Sequence, residues 1–323
     1  MTKIQRFIEL NMNYDPNNVR RFSPHGMLII TIVAALVFGF VFQLIAILTT
    51  PILFGIPMTE AFDISNISSP EQLAALKYAQ IIGALGTFII SSLFLSRLYT
   101  NRFLGFFTAR ATVDARAMIM VLIFMIASLP FINWLAEINL SFELPFDKLE
   151  VKMRRLHDQT EKITMTLVEA DHLGALIVNL LMIAIIPAVG EELLFRGLIQ
   201  KHFQAWFKNA HLAVFTTAVF FSLAHFQLYS FLPRLYLGLL LGYMFYFSKS
   251  LWYPIVAHFV NNGMAVLYYF FSKSPDEQTA LDEIGTDNMM PVAALFSFVI
   301  ITGIFFLWLR IVKTNQSPQS GQS

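Results

Sequence analysis

Two adjacent carboxylates stand inside an apolar stretch, Ala188-Val189-Gly190-Glu191-Glu192-Leu193-Leu194-Phe195-Arg196-Gly197. A charge in hydrocarbon costs at least ~2.5–3.5 kcal/mol, so ionisable groups in such stretches are candidates for function. Glu192 and Arg196 are four residues apart with the acid first, the order that pairs best on one helix face. Glu191 then points about 100° away round the helix. One acid can be neutralised by Arg196 while the other faces elsewhere. The plainer alternative is that the acids mark the end of a membrane helix, where charge is cheap.

Further polar groups interrupt apolar sequence downstream. His225 follows Phe221-Ser222-Leu223-Ala224, and His258 and Asn262 are four residues apart in Tyr253-Pro254-Ile255-Val256-Ala257-His258-Phe259-Val260-Asn261-Asn262. Stacked on one face, an imidazole and an amide could hold an oxyanion, or His258 could bind a metal. They could equally serve as helix–helix glue, and His225 could simply bond a backbone carbonyl. Arg234, just after Pro233, reads as an interfacial residue whose stem snorkels.

Peptide hydrolysis at neutral pH needs an activated water and a place for the tetrahedral oxyanion. A carboxylate in apolar surroundings, such as Glu191, suits a general base, and His258 with Asn262 could meet the second need. In a second route Glu191, His225 and His258 would hold a zinc ion whose bound water attacks. The chain lacks the H-E-x-x-H helix pair of the zincins. The reading favours a site with no obligatory metal.

These residues must be carried by membrane elements. Of 323 residues 56% are hydrophobic and 13% charged, about half the charged share of a soluble domain. Apolar runs long enough to span a bilayer, roughly 20 residues, recur along the chain. They predict an all-α, polytopic bundle of about eight transmembrane helices at 27–52, 78–98, 116–136, 173–192, 211–228, 231–248, 251–271 and 289–310. The first run is long and read as a retained anchor rather than a cleaved signal. A net charge of +1 gives no global field for nucleic acid, and the absence of cysteine excludes disulfides, thiolate metal sites and cysteine nucleophiles.

If the helix bearing Glu192 runs on to a turn near Asn209, and the next helix returns to His225, the two arms are antiparallel. Glu192 and His225 then lie about equally far from the turn, roughly 25 Å along each arm. His258 is closer in sequence to its own helix start, so its helix must begin deeper or the cavity must dip. Basic residues gather before the first span (Lys3, Arg6, Arg20, Arg21), around Arg97, Arg102, Arg110 and Arg116, and at Lys201, Lys208, Lys249, Arg310 and Lys313. The alternate loops are acidic, with Glu60, Asp63 and Glu71, then Asp276, Glu277, Asp282, Glu283 and Asp287 against Lys273. Both termini are therefore expected on the cytoplasmic side. The loop 139–172 mixes Lys148, Lys152, Arg154, Arg155 and Lys162 with acids that include Asp147, Glu150, Asp158, Glu161 and Glu169. Its Leu149, Met153, Leu156, Ile163 and Leu167 predict an amphipathic helix, either a plain connector or one lying on the membrane or over a cavity.

The three polar elements, in this order, resemble the CPBP family, the CAAX-protease and bacteriocin-processing membrane proteins. Its pattern of EExxxR, FxxxH and HxxxN appears here as Glu191-Glu192 with Arg196, Phe221 with His225, and His258 with Asn262. The resemblance covers about 173–272. It implies a helix bundle with a polar intramembrane cavity and endopeptidase activity on membrane-associated substrates. Eukaryotic members remove three residues after a prenylated cysteine. By the resemblance, Glu191 and His225 activate water, His258 and Asn262 hold the oxyanion, and Glu192 pairs with Arg196.

The chain then divides into a cytoplasmic segment 1–26, helices and an outer amphipathic loop over 27–172, a catalytic core 173–272, a last helix within 273–313, and a disordered tail 314–323. The expected partners are the bilayer and a peptide or protein substrate, lipidated in the CAAX case, with no nucleic acid. Two other classes compete: a non-catalytic bacteriocin-immunity or scaffold protein, and a proton-coupled transporter. The transporter should show inverted repeats, and the sequence shows no such symmetry.

Overall fold

The computed structural model describes residues 22–64, 67, 69–100, 102–107, 113–272 and 292–316. Lys3, Arg6, Arg20, Arg21, Arg110, Lys273, the acids from Asp276 to Asp287 and the tail beyond 316 lie outside the described residues. The described residues form helices and no strand. In chain order these are α1 (Pro24–Phe54), α2 (Met58–Ala61), α3 (Pro70–Thr100), α4 (Ala115–Leu140), α5 (Asp147–Val168), α6 (Leu173–Phe207), α7 (Ala210–Leu223), α8 (Phe231–Ser248), α9 (Trp252–Phe271) and α10 (Val292–Gln316).

Five of these are long and apolar enough to cross a membrane: α1, α3, α6, the segment Leu228–Ser248 containing α8, and α10 over Val292–Thr314. α4 makes a sixth when its two halves, bent by 42° between Ala127 and Leu129 next to the internal Pro130, are counted as one span. This is a multi-pass membrane protein. α1 shows why lipid is its solvent: Leu36 and Phe40 are 68% and 70% exposed on a helix that is apolar all round.

The expected spans 211–228 and 251–271 do not pass the same test. α7 has only 14 residues, about 21 Å against a hydrocarbon core of roughly 30 Å. α9 has 20 residues but carries His258, Asn261 and Asn262. The helices that fall short are thus the ones on either side of which, or along which, the sequence places its imidazoles.

The chain separates into two units, 1–109 with 173–213 and 110–172 with 214–323. In the first unit, α1, α3 and α6 pack together. Ser23 and Ser69 cap the starts of α1 and α3, each accepting a backbone N–H, with a proline following in the first turn. Gly190 of α6 lies against α3, and a Cβ there would meet the Phe88 Cβ at 2.7 Å. A glycine is what allows this approach. π-helical turns occupy Leu85–Ile90 in α3 and Leu180–Ile185 and Phe195–Ile199 in α6.

In the second unit α4, α8, α9 and α10 share a core that includes Val121, Phe124, Leu241, Met244, Tyr253 and Trp308. Tyr253 meets Trp308 edge-on at 5.5 Å between ring centres, and its hydroxyl accepts the Asp114 N–H at 2.9 Å. α7 and α8 touch at Gly238, where a Cβ would stand 3.0 Å from the Ala218 Cα. The expected amphipathic helix is α5, and its polar face and short apolar stripe account for its lying outside the spans.

Candidate functional site

The first unit supplies the carboxylates. α6 runs unbroken through Glu191, Glu192 and Arg196 to Phe207 and ends where Lys208 takes a left-handed conformation, φ 56°. The sequence expectation that this helix continues past Arg196 to a turn near Asn209 is met. Glu192 Oε1 accepts from Arg196 Nη1 at 2.5 Å, and both side chains are fully buried. An ion pair so completely removed from water is held by its partner, because either member alone would be an uncompensated buried charge. Glu191, 8% exposed, stands beside this pair on the same helix.

One polar contact of this unit escaped the sequence reading. Lys77 Nζ on α3 donates to Asn179 Oδ1 on α6 at 2.8 Å, with both residues buried. Lys77 lay just outside the expected span 78–98, so it was not counted among the intramembrane charges. It fastens α3 to α6, the two helices that approach closely at Gly190.

The second unit supplies the imidazoles. His225 was expected on a helix over 211–228. It instead follows the end of α7, in a turn whose next residue, Phe226, is left-handed with φ 54°. Its Nδ1 lies 2.7 Å from the Phe221 carbonyl oxygen. A carbonyl only accepts, so Nδ1 carries a proton, and in the neutral ring Nε2 then carries the lone pair. The carbonyl bond is the plain role foreseen for His225, and it uses only one nitrogen. It leaves the ring oriented, as an acid–base imidazole must be.

His258 and Asn262 share one face of α9, as their spacing predicts, with Asn262 Oδ1 accepting from Asn261 Nδ2 at 3.0 Å. Phe221 joins the two imidazoles: its ring centre is 5.1 Å from that of His225 and 5.9 Å from that of His258, both edge-on. The phenylalanine of the FxxxH element therefore orients two histidines, by its carbonyl and by its ring. Arg234 on α8 donates to the Gln227 side chain in the same turn region.

Neither unit by itself gathers three His, Asp or Glu side chains placed to hold a metal, among the described residues. The donor set named for zinc takes its carboxylate from the first unit and its imidazoles from the second.

Three residues that hold the segment following His225 were not singled out from sequence: Asn139 at the end of α4, Tyr229 after the turn, and Glu150 of α5. Asn139 was the one with a visible signal, an amide at the end of an apolar run.

Neither a curated protein nor a solved structure matches the chain. The family model for type II CAAX prenyl endopeptidase Rce1-like proteins matches residues 173–264. That stretch begins with α6 and ends two residues past Asn262, so all three polar elements fall within it. Residues 173–264 are an Rce1-like CAAX prenyl endopeptidase domain of the CPBP family.

Proposed function

We propose that this protein is an intramembrane endopeptidase that hydrolyses peptide bonds of membrane-associated substrates, CAAX-like or other. Glu191 acts as the general base toward a water, and His225 orients that water or shares its proton through Nε2. As the water adds to the carbonyl, His258 and Asn262 stabilise the resulting oxyanion by hydrogen bonding, the usual source of the largest rate gain in acyl transfer, and as it collapses the proton taken from the water passes to the leaving amine. Glu192 and Arg196 neutralise each other and keep the helix under Glu191 fixed. The observation that carries this reading is the family match over 173–264, which holds the carboxylates, imidazoles and amide in the family's order.

The two helices too short or too polar to count as ordinary spans, α7 and α9, are read as the wall of a polar, wet cavity. That completes a bundle of about eight membrane helices with both termini on the cytoplasmic side. Irregular and polar backbone is tolerated at membrane depth where it lines such a cavity. No metal is required in this reading: the acid and the two imidazoles are enough for base catalysis and oxyanion binding.

The test is cleavage of peptides with a farnesylated or unmodified CAAX end by purified protein in detergent. Wild type is expected to cleave and Glu191→Gln to be inactive at equal abundance. Activity is expected to survive thorough chelation. Strict dependence on re-added zinc would replace the metal-free mechanism, and cleavage by Glu191→Gln at the wild-type rate would remove Glu191 from it.

A further inference from the structure

His225 sits on a turn that is strained and clamped from outside. Phe226, next in sequence, adopts φ 54° and is 91% exposed, so packing of its side chain within the protein does not reward the conformation. A non-glycine residue in the left-handed region persists where its surroundings over-determine it. Here the determination comes from the residues just after it.

Asn139, 3% exposed at the end of α4, bridges the two sides of this segment. Its Nδ2 donates to the Leu228 carbonyl at 3.0 Å, and its Oδ1 accepts from the Leu232 N–H at 2.7 Å. Leu232 is in the first turn of α8, where N–H groups have no helical partner. The local N-cap, Ser230, makes no side-chain cap bond, so Asn139 caps α8 from another helix. Ser222 adds a bond from α7 to the Phe231 carbonyl at 2.8 Å.

Tyr229, 2% exposed, ties the same segment to the amphipathic helix α5. Its hydroxyl donates to Glu150 Oε2 at 2.5 Å, and the same oxygen accepts the Leu144 N–H at 3.0 Å. Arg154 donates to the other oxygen of Glu150 and lies over the Tyr229 ring, 4.6 Å from its centre. His157 meets that ring edge-on at 5.8 Å. One helix thus grips one buried tyrosine four residues after His225.

We infer that Asn139 and Tyr229, the latter through Glu150 of α5, are positioning residues that lock the turn carrying His225. The inference rests on the endopeptidase reading for its consequence in catalysis, and on these contacts for the lock itself. α5 is then a strap whose purpose is the aim of one imidazole. A displacement of the catalytic group on the order of 1 Å can cost about 10²-fold in rate, while substrate binding need not change.

The experiment uses the full-length protein in nanodiscs with Tyr229→Phe, Glu150→Gln and Asn139→Ala. Tyr229→Phe removes one hydroxyl and keeps the ring, so it is the milder variant, whereas Asn139→Ala strips the Leu228 carbonyl and the Leu232 N–H of their partner. Hydrogen exchange of segment 224–232 is expected to rise about tenfold in Tyr229→Phe, the worth of one hydrogen bond to a charged group, with α1 and α10 unchanged. For a cleaved peptide, kcat is expected to fall with KM held, and Tyr229→Phe with Glu150→Gln to cost less than the two single losses combined, since they share one bond.

Unchanged exchange at 224–232 in Tyr229→Phe would overturn the lock. Raised exchange with an unchanged kcat would overturn its role in positioning. Should wild type and Glu191→Gln both fail to cleave, the endopeptidase reading fails by itself, and the exchange result still decides whether the lock exists.

Discussion

The Phe221 carbonyl oxygen accepts the Nδ1 proton of His225 across 2.7 Å, which fixes the ring and leaves Nε2 as the basic nitrogen. A helix end thereby holds a histidine the way a carboxylate does in a catalytic triad: the second nitrogen is oriented by what the first one bonds.

That relationship separates His225→Asn from His225→Ala. An asparagine amide can reach the Phe221 carbonyl but has nothing at the place of Nε2. His225→Asn is expected to melt within about 4 °C of wild type, yet to lose about 10²–10⁴-fold in cleavage rate. Thermal unfolding in detergent and an initial-rate assay check the two halves. Retention of activity in His225→Asn would remove the imidazole from the chemistry.

Glu192 and Arg196 are both fully buried, so each is expected to matter for folding rather than for the reacting bond. Arg196→Met leaves a buried carboxylate and is expected to cost about 3–5 kcal/mol. Replacing both, as Glu192→Leu with Arg196→Met, is expected to recover much of that loss, because no unpaired charge remains. Denaturation of the three proteins in mild detergent gives the comparison. A double variant less stable than Arg196→Met would mean the pair is worth more than the charge it satisfies.

Gly238 tests the close approach of α7 and α8. A Cβ there would lie 3.0 Å from the Ala218 Cα, and backbone cannot yield as a flexible side chain can. Gly238→Ala is expected to cost about 1–3 kcal/mol and larger residues more. Gly303 of α10 has nothing within reach of a Cβ, and Gly303→Ala is expected to be tolerated.

The Glu150 carboxyl is held below the usual carboxylate range, chiefly by the Tyr229 hydroxyl, then by the Leu144 N–H, with Arg154 adding to both. A depressed folded-state pKa means the stabilisation is whole above the unfolded value, about 4.3, and is lost as pH falls through the folded one. Exchange of segment 224–232, corrected for its intrinsic pH dependence, is therefore expected to be flat from neutral pH to about 5 and to rise below about 4. Glu150→Gln should abolish that step, and a step that survives it would assign the titration elsewhere.

Much of this was legible in the sequence, and the failures have physical causes. The Glu192–Arg196 pair followed from spacing alone, because four residues bring side chains together on a helix wherever that helix lies. His258 and Asn262 followed for the same reason. The amphipathic stripe of α5 gave its position and its helical form. The turn at His225 was missed because Leu223-Ala224-His225-Phe226 has no glycine or proline to mark it, and the left-handed residue is a phenylalanine. The expected count of eight spans exceeds the five or six found by length and composition, the difference lying at α7 and α9, where apolar neighbours hid a short helix and a polar one. The clamp of Asn139 on Leu228 and Leu232 joins residues about ninety positions apart, and no local pattern announces such a pair.

The central claim is that Glu191 and His225 serve one chemical step on a peptide within the membrane. Its most direct test is the single-turnover cleavage of a membrane-inserted peptide by wild type, Glu191→Gln, His225→Asn and the double variant, all at matched abundance. The account predicts rapid cleavage by wild type and a double variant no slower than the slower single one, because the two groups act as a unit. Cleavage by Glu191→Gln at the wild-type rate, or losses that multiply in the double variant, would contradict it.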